Sequence, residues 1–504
     1  MLYTAFIMRV AIISFQTNSD IIGAKYIHSY ILENNYESYL ILQPDADSST
    51  DIGILNFIQE NNIDIVGISL MSHEFFRVSQ FAEKFKSKFS NVPLVFGGIH
   101  ATIAPEDCLS IGDIVIRGEG ENTFLELIRC IEQGKDYSNL AGICIKKDDQ
   151  LLSFPGIIEE NIDKFPFPRL LPKNMFVVHQ GKVSLFDNRL LRIYSRYSGI
   201  FPSIISTRGC PYSCSYCCNS VYKNLYKNYK LRKRSVESVI SECLEEIKQH
   251  SNIFFLNFQD DCFLIQDNEW IKEFSAQYKT KIGLPFAIKT TPKHITREKI
   301  TMLKEAGLVW AFMGLQTGSE KINKEIYNRN VSNEMFLNAT NIIKDANLCT
   351  LYDIILDNPY ETEEDLLETL KIILKIRKPF LFQLFSLCFY KGTELNKKAT
   401  KDNLSFEDSR FKSYIKFSPS ILNQLISLVP TYPNWIIKYL INHRKNMFIK
   451  LIIKLFCLIN MTIFEPIAML KLIHRSCNSD IFKTIGVLKY FAKTAFVKLF
   501  RQVG

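Results

Sequence analysis

The stretch TRGCPYSCSYCCN, residues 207–219, places Cys210, Cys214 and Cys217 within eight residues of one another. The short apolar run 204–206 just before it is typical of a β-strand, and a glycine and a proline flank the first cysteine as turn residues do. The spacing predicts three thiolates on one loop at a strand's end. Cysteine thiolates at close spacing hold iron–sulfur clusters, and three ligands leave one iron of a four-iron cluster open for chemistry.

Zinc and ordinary buried cysteines are the alternatives. A closed structural zinc site needs four ligands, usually as two separated pairs, and no second CxxC or HxxxH pair occurs in the chain. Cys218 directly follows Cys217 and is badly placed to bind the same ion. Free cysteines also pack as small buried residues. The three-thiolate cluster is the favoured interpretation.

Length and charge narrow the class of protein. The 504 residues allow about three domains. The net charge of +9 is concentrated in residues 430–504, where nine Lys and three Arg face two acidic residues. The rest is nearly neutral, so a nucleic-acid-binding patch is not indicated.

The cysteine content indicates the compartment. Thirteen scattered cysteines predict reduced thiols and a cytoplasmic protein. Residues 1–7 are too short for the apolar region of a secretory signal.

Residues 8–140 alternate apolar strand patterns with helical patterns. Strands are predicted at 10–15, 38–42, 64–70, 93–98 and 113–120, with helices near 24–34, 53–61, 75–89 and from 122. This order predicts a doubly wound, Rossmann-like α/β domain, in which ligands lie beyond the carboxyl ends of the strands. Gly97, Gly98, Gly118 and Gly120 fall at such ends, where they either let a backbone approach a bulky ligand or form tight turns. Residues 141–200 are predicted to be a connector with a β-hairpin and a proline-bearing link.

Residues 201–400 repeat the strand–helix pattern six times and predict a partial (β/α)6 barrel. Strands are predicted at 204–206, 253–261, 284–290, 309–316, 351–359 and 380–387, with helices at 235–249, 267–278, 295–307, 332–346 and 362–375. Reactive groups of such barrels gather at the carboxyl ends of the strands. Asp260, Asp261, Gln316 and Glu320 follow strands there. A helix N-cap pair is the alternative for the two aspartates, and a solvated helix residue is the alternative for Glu320.

The cysteine motif, with Tyr216 just before its third cysteine, resembles the signature of the radical S-adenosylmethionine (SAM) enzymes. Six segments of the chain, in order, resemble those of the branch of that superfamily that carries an N-terminal cobalamin-binding domain. They are TRGCPYSCSYC, FQDDCF, GLQTGSE, YNR, YDIILDNPYETEEDL and GTEL. VFGGIHATIAPEDC and IVIRGEGENTFLEL resemble its cobalamin-binding fold. The resemblance covers residues 8–396.

The resemblance implies three cofactors: a [4Fe–4S] cluster on the three cysteines, SAM and cobalamin. The SAM pocket is expected to include Tyr216, Asp260, Asp261, Gln316 and Glu320. The cobalamin contacts are expected to be Ser69, Met71, Ser72, Gly97, Gly98, His100, Gly118, Glu119, Gly120 and Glu121. Tyr352 and Asp353 are expected on the substrate side. Lys391, in FYKGTEL where the family usually has FPGTEL, is expected near a selectivity loop.

One departure concerns the cobalt. Proteins that place a histidine under the cobalt carry DxHxxG after the first strand, whereas residues 18–23 read NSDIIG, with Asp20 at the histidine position. The resemblance therefore implies cobalamin without a histidine from that loop, and His100 is expected to be a polar pocket residue. A domain that kept the fold and lost the cofactor is the alternative.

The resemblance further implies a reaction: reductive cleavage of SAM to a 5′-deoxyadenosyl radical, then methyl transfer to an unactivated carbon. An oxidative or ring-forming radical reaction without net methyl transfer is the alternative, and a metal-stabilised binding protein is a third. A flavodoxin or ferredoxin is the expected electron donor.

The region 405–504 is predicted to be helical and basic. In one segment Trp435, Phe448 and Leu451 alternate with lysines, and a second segment at 483–501 has a lysine face opposite an apolar face. No run reaches about 18 uncharged apolar residues, so a spanning helix is not expected. Basic amphipathic helices can lie in a membrane interface, here the inner face, which would favour a lipid or isoprenoid-like substrate. A helical cap with a solvated lysine face is the alternative.

Overall fold

The computed structural model describes residues 8–476 apart from 46, 149, 196–200, 227 and 413. The predicted segment at 483–501 and residues 1–7 therefore lie outside the described residues. Within the described part, two α/β domains precede a helical region.

The first domain is built on a sheet of nine described strands. They are β1 (Arg9–Ser14), β2 (Glu37–Leu42), β3 (Ile65–Ser69), β4 (Leu94–Gly97), β5 (Ile114–Ile116), β6 (Ile143–Lys147), β7 (Gln150–Ser153), β8 (Met175–His179) and β9 (Lys182–Leu185), in the spatial order β7-β6-β5-β4-β3-β1-β2-β8-β9. The first five strands pair in parallel, and β8 joins β2 in parallel. The doubly wound prediction is confirmed.

Helices cover both faces of this sheet. They are α1 (Ile22–Glu33), α2 (Asp51–Glu60), α3 (Phe75–Lys88), α4 (Gly98–Ile103), α5 (Pro105–Leu109), α6 (Glu121–Glu132) and α7 (Asn188–Tyr194). Successive side chains of a strand point to opposite faces. Val10 and Ile12 of β1 accordingly enter one hydrophobic core, and Ala11 and Ile13 enter another. Strands buried on both sides explain the uninterrupted apolar runs in the sequence.

The segment predicted as a connector extends this sheet at both edges. The hairpin β6–β7 is antiparallel and joins β5, while β8–β9 joins β2 at the opposite edge. The sequence did not predict this, because a strand's own residues carry no signal of which edge it joins: β6 pairs with β5 about 30 residues earlier, and β8 pairs with β2 more than 100 residues earlier.

The second domain is built on six parallel strands in sequential order. They are β10 (Ser203–Ile204), β13 (Leu256–Phe258), β14 (Phe286–Thr290), β15 (Leu308–Gln316), β16 (Cys349–Leu356) and β17 (Leu381–Ser386). The two-residue strands β11 (Thr207–Arg208) and β12 (Arg232–Lys233) form a separate antiparallel pair beside the cysteine loop. Six strand–helix units in this order confirm the partial-barrel prediction.

The helices of this domain are α8 (Cys218–Leu225), α9 (Val236–Gln249), α10 (Asn268–Lys281), α11 (Arg297–Ala306), α12 (Asn333–Asp345), α13 (Glu363–Ile373) and α14 (Glu394–Lys401). The five from α9 to α13 each begin at a side chain that accepts a backbone N–H of the first turn; the caps are Ser235, Asp267, Thr296, Ser332 and Thr362. Such caps satisfy otherwise unpaired donors. They fix where each helix starts and therefore how long each strand-end loop is.

The inner face of this sheet has two layers. Outward residues such as Met313 and Ile354 join the core under the helices, so their neighbours along each strand point inward. Near the amino ends of the strands the inner face is apolar, with Phe255, Ala287, Trp310, Cys349 and Leu381 in one cluster and the half-buried Phe201, Phe254, Phe312 and Leu351 against it. Toward the carboxyl ends it becomes polar, with Asn257, Lys289, Asp353 and Gln383.

The C-terminal region is helical. Its helices are α15 (Ile421–Leu428), α16 (Asn434–Asn442), α17 (Met447–Ile459) and α18 (Glu465–Ser476), and a π-helical turn, Asn460–Phe464, joins the last two. Met447–Arg475 thus runs as one 29-residue helix that is long and apolar enough to cross a membrane by length and composition. This corrects the expectation that no such stretch exists: Lys450 and Lys454 interrupt the apolar run without ending the helix.

Candidate active site

The cysteine loop connects β11 to α8 and is held from two sides. The backbone N–H of Cys210 donates to Tyr229 Oη at 2.7 Å, and that of Ser215 donates to the carbonyl of Tyr327 at 2.9 Å. Cys210, Cys214 and Cys217 are each half-buried. The three cysteines therefore lie on one anchored loop at a strand's end, and their role as cluster ligands stays a prediction.

The thiols fit a ligand role. Burial, together with Asp261 and the two neighbouring thiols, raises the pKa of Cys210 to about 12, although a backbone hydrogen bond opposes this. Thiolates are needed to bind metal, and a bound cation is what stabilises them in such surroundings. No group of three or more His, Cys, Asp or Glu side chains among the described residues is arranged around a single metal ion. A four-iron cluster needs a wider arrangement, because it takes one sulfur at each of three separate corners.

Asp260 braces the start of this loop. Its Oδ1 accepts the backbone N–H and the hydroxyl of both Ser206 and Thr207, at 2.5–2.9 Å. Burial still raises the pKa of its carboxyl. Asp260 is not a helix N-cap, since α10 is capped by Asp267. Its Oδ2 has no hydrogen-bond partner in the described part of the chain, which leaves one oxygen for a ligand.

Asp261 stands beside the cysteines and is open to the cavity, although protein surrounds its carboxylate on most sides. That crowding raises the pKa of the carboxyl, while a hydrogen bond from Asn219 and the charge of Lys289 oppose it. A carboxylate in this position is suited to hold the ammonium or sulfonium of SAM.

Gln316 and Arg329 together shape the end of β15. Gln316 has a φ of +70°, and its side chain folds over Gly314, where a Cβ would come within 2.1 Å of Nε2. The Arg329 guanidinium donates to the carbonyls of Gly314 at 2.6 Å and Leu315 at 2.7 Å. A non-glycine residue with positive φ often marks a functional site. Sequence reasoning assigned no role to Arg329, whose only signal was the word YNR.

Other predicted SAM and substrate residues lie apart from one another. Tyr216 packs edge-on against Tyr327 at 5.0 Å. Glu320 is exposed and accepts the backbone N–H of Asn333, away from the cavity lining. Tyr352 points outward into the core beneath the helices, whereas Asp353 points inward. Burial raises the pKa of Asp353 to about 6, against the opposing charges of Lys289 and Arg329.

A cavity of about 500 Å³ lies between the two domains, and we call it the interdomain cavity. The first domain contributes strand-end loops. The barrel contributes Thr207, Arg208 and Gly209 together with the carboxylates of Asp260 and Asp261. Four tyrosines line it: Tyr26, Tyr222, Tyr226 and Tyr229. A narrow slot of about 50 Å³ continues from it between the glycines of β3, β4 and the β5 loop. Space for a large flat cofactor therefore adjoins the cysteine loop.

Most residues predicted to contact cobalamin line these spaces. Ser69, Met71, Gly98, Gly118, Glu119, Gly120 and Glu121 line the cavity, and Gly97 lines the slot. The structure places Ser72 and His100 behind the loop, where His100 Nδ1 lies 3.1 Å from Ser72 Oγ and the imidazole packs on Phe75. None of the described residues lining the cavity is a histidine; Asp20 is among them.

The two glutamates of this lining, Glu119 and Glu121, have a role that the sequence did not reveal. Glu119 binds Arg232 at 2.5 Å, and Glu121 binds Arg208 at 2.6 Å, so the first domain is ion-paired to strands β11 and β12 of the second. The backbone N–H of Glu119 also donates to Tyr226 Oη at 2.7 Å. We call these two ion pairs the interdomain clasp. The two residues of each pair lie about 100 positions apart in the chain, so the local sequence did not indicate that they would meet.

Lys391 also links the domains. Its Nζ lies 2.7 Å from Asp107 Oδ1 in the first domain, and Arg410 lies 3.5 Å from the other oxygen. Burial opposes ionisation of Asp107, but hydrogen bonds from His100 and Lys391 lower its pKa to about 2. The structure therefore assigns Lys391 a domain contact, and its place near a selectivity loop stays a prediction.

Comparison with known proteins agrees with this geometry. A radical SAM superfamily model matches residues 204–373, and a B12 binding domain model matches residues 8–128. The uncharacterized methyltransferase PH0819 of Pyrococcus horikoshii is 27% identical over 76% of this chain and 79% of that protein. The anaerobic magnesium-protoporphyrin IX monomethyl ester cyclase of Rubrivivax gelatinosus is 23% identical over 69% and 60%.

Among solved structures, the radical SAM methyltransferase TsrM from Kitasatospora setae, with cobalamin and a [4Fe-4S] cluster bound, covers 79% of this chain and 75% of its own at a TM-score of 0.61 and 15% identity. The barrel and its three-cysteine loop define a radical SAM enzyme. With the B12 binding domain in front of that barrel, the chain belongs to the cobalamin-binding radical SAM enzymes, a family that includes methyltransferases. Its cofactors are a [4Fe–4S] cluster, SAM and cobalamin.

Proposed function

We propose that this enzyme transfers a methyl group from SAM to an unactivated carbon of an amphipathic, lipid-like substrate bound inside the barrel. The observation that carries the proposal is the shared cavity: the glycine-lined loops of the B12 binding domain line the same space as Gly209, Asn219 and Asp261, which flank the cysteine loop or lie beside it. The similarity to PH0819 supports methyl transfer.

The three cofactors supply radical generation and a transferable methyl group when bound. This chain's residues supply position and exclusion of water. Cys210, Cys214 and Cys217 would hold the cluster, and Asp261 would bind the positive groups of SAM. Gly97, which lines the slot and has open space where a Cβ would stand, would give a corrin room. The interdomain clasp keeps the two loops at a fixed separation.

The inner face of the barrel supports the substrate class. Its lower layer is apolar and aromatic, and its upper layer carries Lys289, Asp353 and Gln383. A substrate with a long apolar portion and a polar group matches this gradient, since apolar groups prefer the layer without polar partners.

The test uses anaerobically reconstituted enzyme, a one-electron reductant, and SAM with a deuterated methyl group. Candidate substrates are isoprenoid and fatty-acyl lipids, compared with free amino acids, and Cys214→Ala is the inactive control. We expect a labelled lipid, with S-adenosylhomocysteine beside 5′-deoxyadenosine. Label in the amino acids alone would overturn the lipid class and leave methyl transfer standing.

A ring-forming or oxidative reaction is the second candidate, favoured by the similarity to the Rubrivivax gelatinosus cyclase. It predicts 5′-deoxyadenosine without S-adenosylhomocysteine and a product that gains no label. Either reaction requires a reduced cluster, so we propose a flavodoxin or ferredoxin partner in the cytoplasm. Turnover with each of the two reduced proteins in place of a chemical reductant tests this.

A further inference from the structure

The outer face of the C-terminal helices is apolar and uncovered. On α16 and α17 the side chains of Trp435, Phe448, Leu451, Leu455 and Leu458 are each more than half exposed, and Phe448 and Leu451 reach 69% and 63%. In the most apolar 18-residue window of the helix Met447–Arg475, only 11% of residues are buried. Such a continuous exposed face marks an interaction site.

Positive charge surrounds this face. Lys438, Lys450 and Lys454 are exposed on the same two helices, and Lys445 is exposed in the turn between them. Between residues 411 and 476 the sole acidic residue is Glu465. A protein partner would need acidic and apolar groups on a surface complementary in shape to these helices. An anionic membrane offers negative charge and an apolar interior without requiring a complementary shape.

The helix is attached to the protein along its opposite side. Ile449, Ile453 and Asn460 are buried, and Thr431 Oγ1 donates to Asn460 Oδ1 at 2.6 Å. At the other end Arg475 donates to the carbonyl of Asn347 beside the barrel. A helix about 44 Å long that is fastened at both ends cannot cross a bilayer without leaving its domain, so it must lie in the plane of the surface.

We propose that α16 and the helix Met447–Arg475 dock this enzyme onto an anionic membrane surface, with the apolar face in the headgroup boundary and the lysines on anionic lipids. The docked helix also packs on the barrel: Ala468 contacts the apolar inner cluster at the amino ends of the strands. That end of the barrel, opposite the cysteine loop, then faces the lipid.

The first measurement is flotation of the full-length protein with vesicles of phosphatidylcholine, with or without phosphatidylglycerol. We expect binding only when phosphatidylglycerol is present. Phe448→Ser with Leu451→Ser should abolish it, whereas Ile157→Ser with Leu185→Ser, which alters equally exposed residues of the first domain, should leave it unchanged. Lys450→Gln with Lys454→Gln should weaken partitioning about 30-fold, since each lysine near the surface contributes about fivefold. Lys272→Gln with Lys279→Gln on α10 is the matched control.

Tryptophan fluorescence gives a second, direct readout. Of the three tryptophans, Trp270 and Trp310 are buried, whereas Trp435 is 72% exposed. Brominated lipids should quench the wild-type emission and leave Trp435→Phe unquenched. The proposal is overturned if the wild type stays in solution as a monomer, which would mean that another part of the chain covers the face. It is also overturned if Phe448→Ser converts a dimer to a monomer. Neither readout depends on turnover, so failure here leaves the proposed reaction untouched.

Discussion

The B12 binding domain and the barrel contribute to the interdomain cavity in opposite ways, although both present the carboxyl ends of parallel strands to it. The first domain works by leaving side chains out: Gly98 and Gly118 have φ values of +90° and +87°, and a Cβ at either would touch neighbouring atoms. The barrel works by supplying side chains: Asp260 and Asp261 line the cavity, and the three thiols lie on the adjoining cysteine loop beside Asp261. One side therefore tolerates no added bulk, and the other tolerates no loss of a functional group.

The sharpest test of this contrast is loss of a thiol. Cys214→Ala should reduce the cluster from about four iron atoms per chain to background and abolish SAM cleavage, because two thiolates cannot hold the cube. Iron, sulfide and 5′-deoxyadenosine are measured after anaerobic reconstitution. Cys218→Ala is the control and should keep its iron; equal loss in both variants would contradict the assignment of the ligands.

The next largest effect concerns the clasp that joins the two sides. Arg232→Ala removes the shorter of the two ion pairs of the largely buried Glu119 and leaves only Arg208 at 3.6 Å, so we expect a cost of about 2–3 kcal/mol. Arg377→Ala, whose pair with Asp345 is mostly exposed, should cost less than about 1 kcal/mol. Urea unfolding of both variants measures the difference. Equal costs would show that the clasp does not hold the domains together.

An effect of similar size is expected from added bulk on the glycine side. In Gly118→Ala the new Cβ would meet Tyr226 Oη, now 2.0 Å away, and displace the acceptor of the Glu119 N–H. Gly134→Ala is the matched control, because Gly134 also has positive φ but open space around it. We expect about 1 kcal/mol of destabilisation in the control from backbone strain, and about 1–3 kcal/mol more in Gly118→Ala.

Cobalamin uptake should decrease from the wild type to Gly134→Ala and should be weakest in Gly118→Ala. An unchanged uptake in Gly118→Ala would mean that the β5 loop is a turn and not part of a cofactor site.

The smallest effect is a pH dependence within the barrel. Burial holds the pKa of Asp353 at about 6, above its usual 3.8, so the folded state prefers the protonated carboxyl. Its contribution to stability is present below pH 3.8 and is lost as pH rises through 6, by about 1 kcal/mol after solvent screening. Melting temperatures from pH 4 to pH 7 should fall less in Asp353→Asn. A parallel decline in both proteins would contradict the shift.

Prediction from sequence succeeded where the signal is local. The cysteine spacing, the strand–helix alternation and the glycines at strand ends are each contained within about 15 residues, and the structure has strands and helices within a few residues of the predicted positions. His100 shows the limit of that reasoning. It follows the paired glycines as a pocket residue would, yet its imidazole faces Ser72 and Asp107 and not the cavity.

Non-local features could not be predicted. Arg329 reaches the carbonyls of β15 from the loop before α12, and Lys391 reaches Asp107 across 284 residues. Asp260 had two local interpretations, and its actual partners are Ser206 and Thr207, more than 50 positions earlier. Each of these contacts depends on how the sheets are placed relative to one another.

The sequence by itself determined the ligand chemistry and the two parallel-sheet domains, because thiolate spacing and hydrophobic periodicity are properties of short segments. Only the tertiary structure decided which carboxylates face the cavity, which ones join the domains, and that the apolar side of Met447–Arg475 is left exposed. Those outcomes are set by distances between segments far apart in the chain, and such distances exist only once the cores have packed.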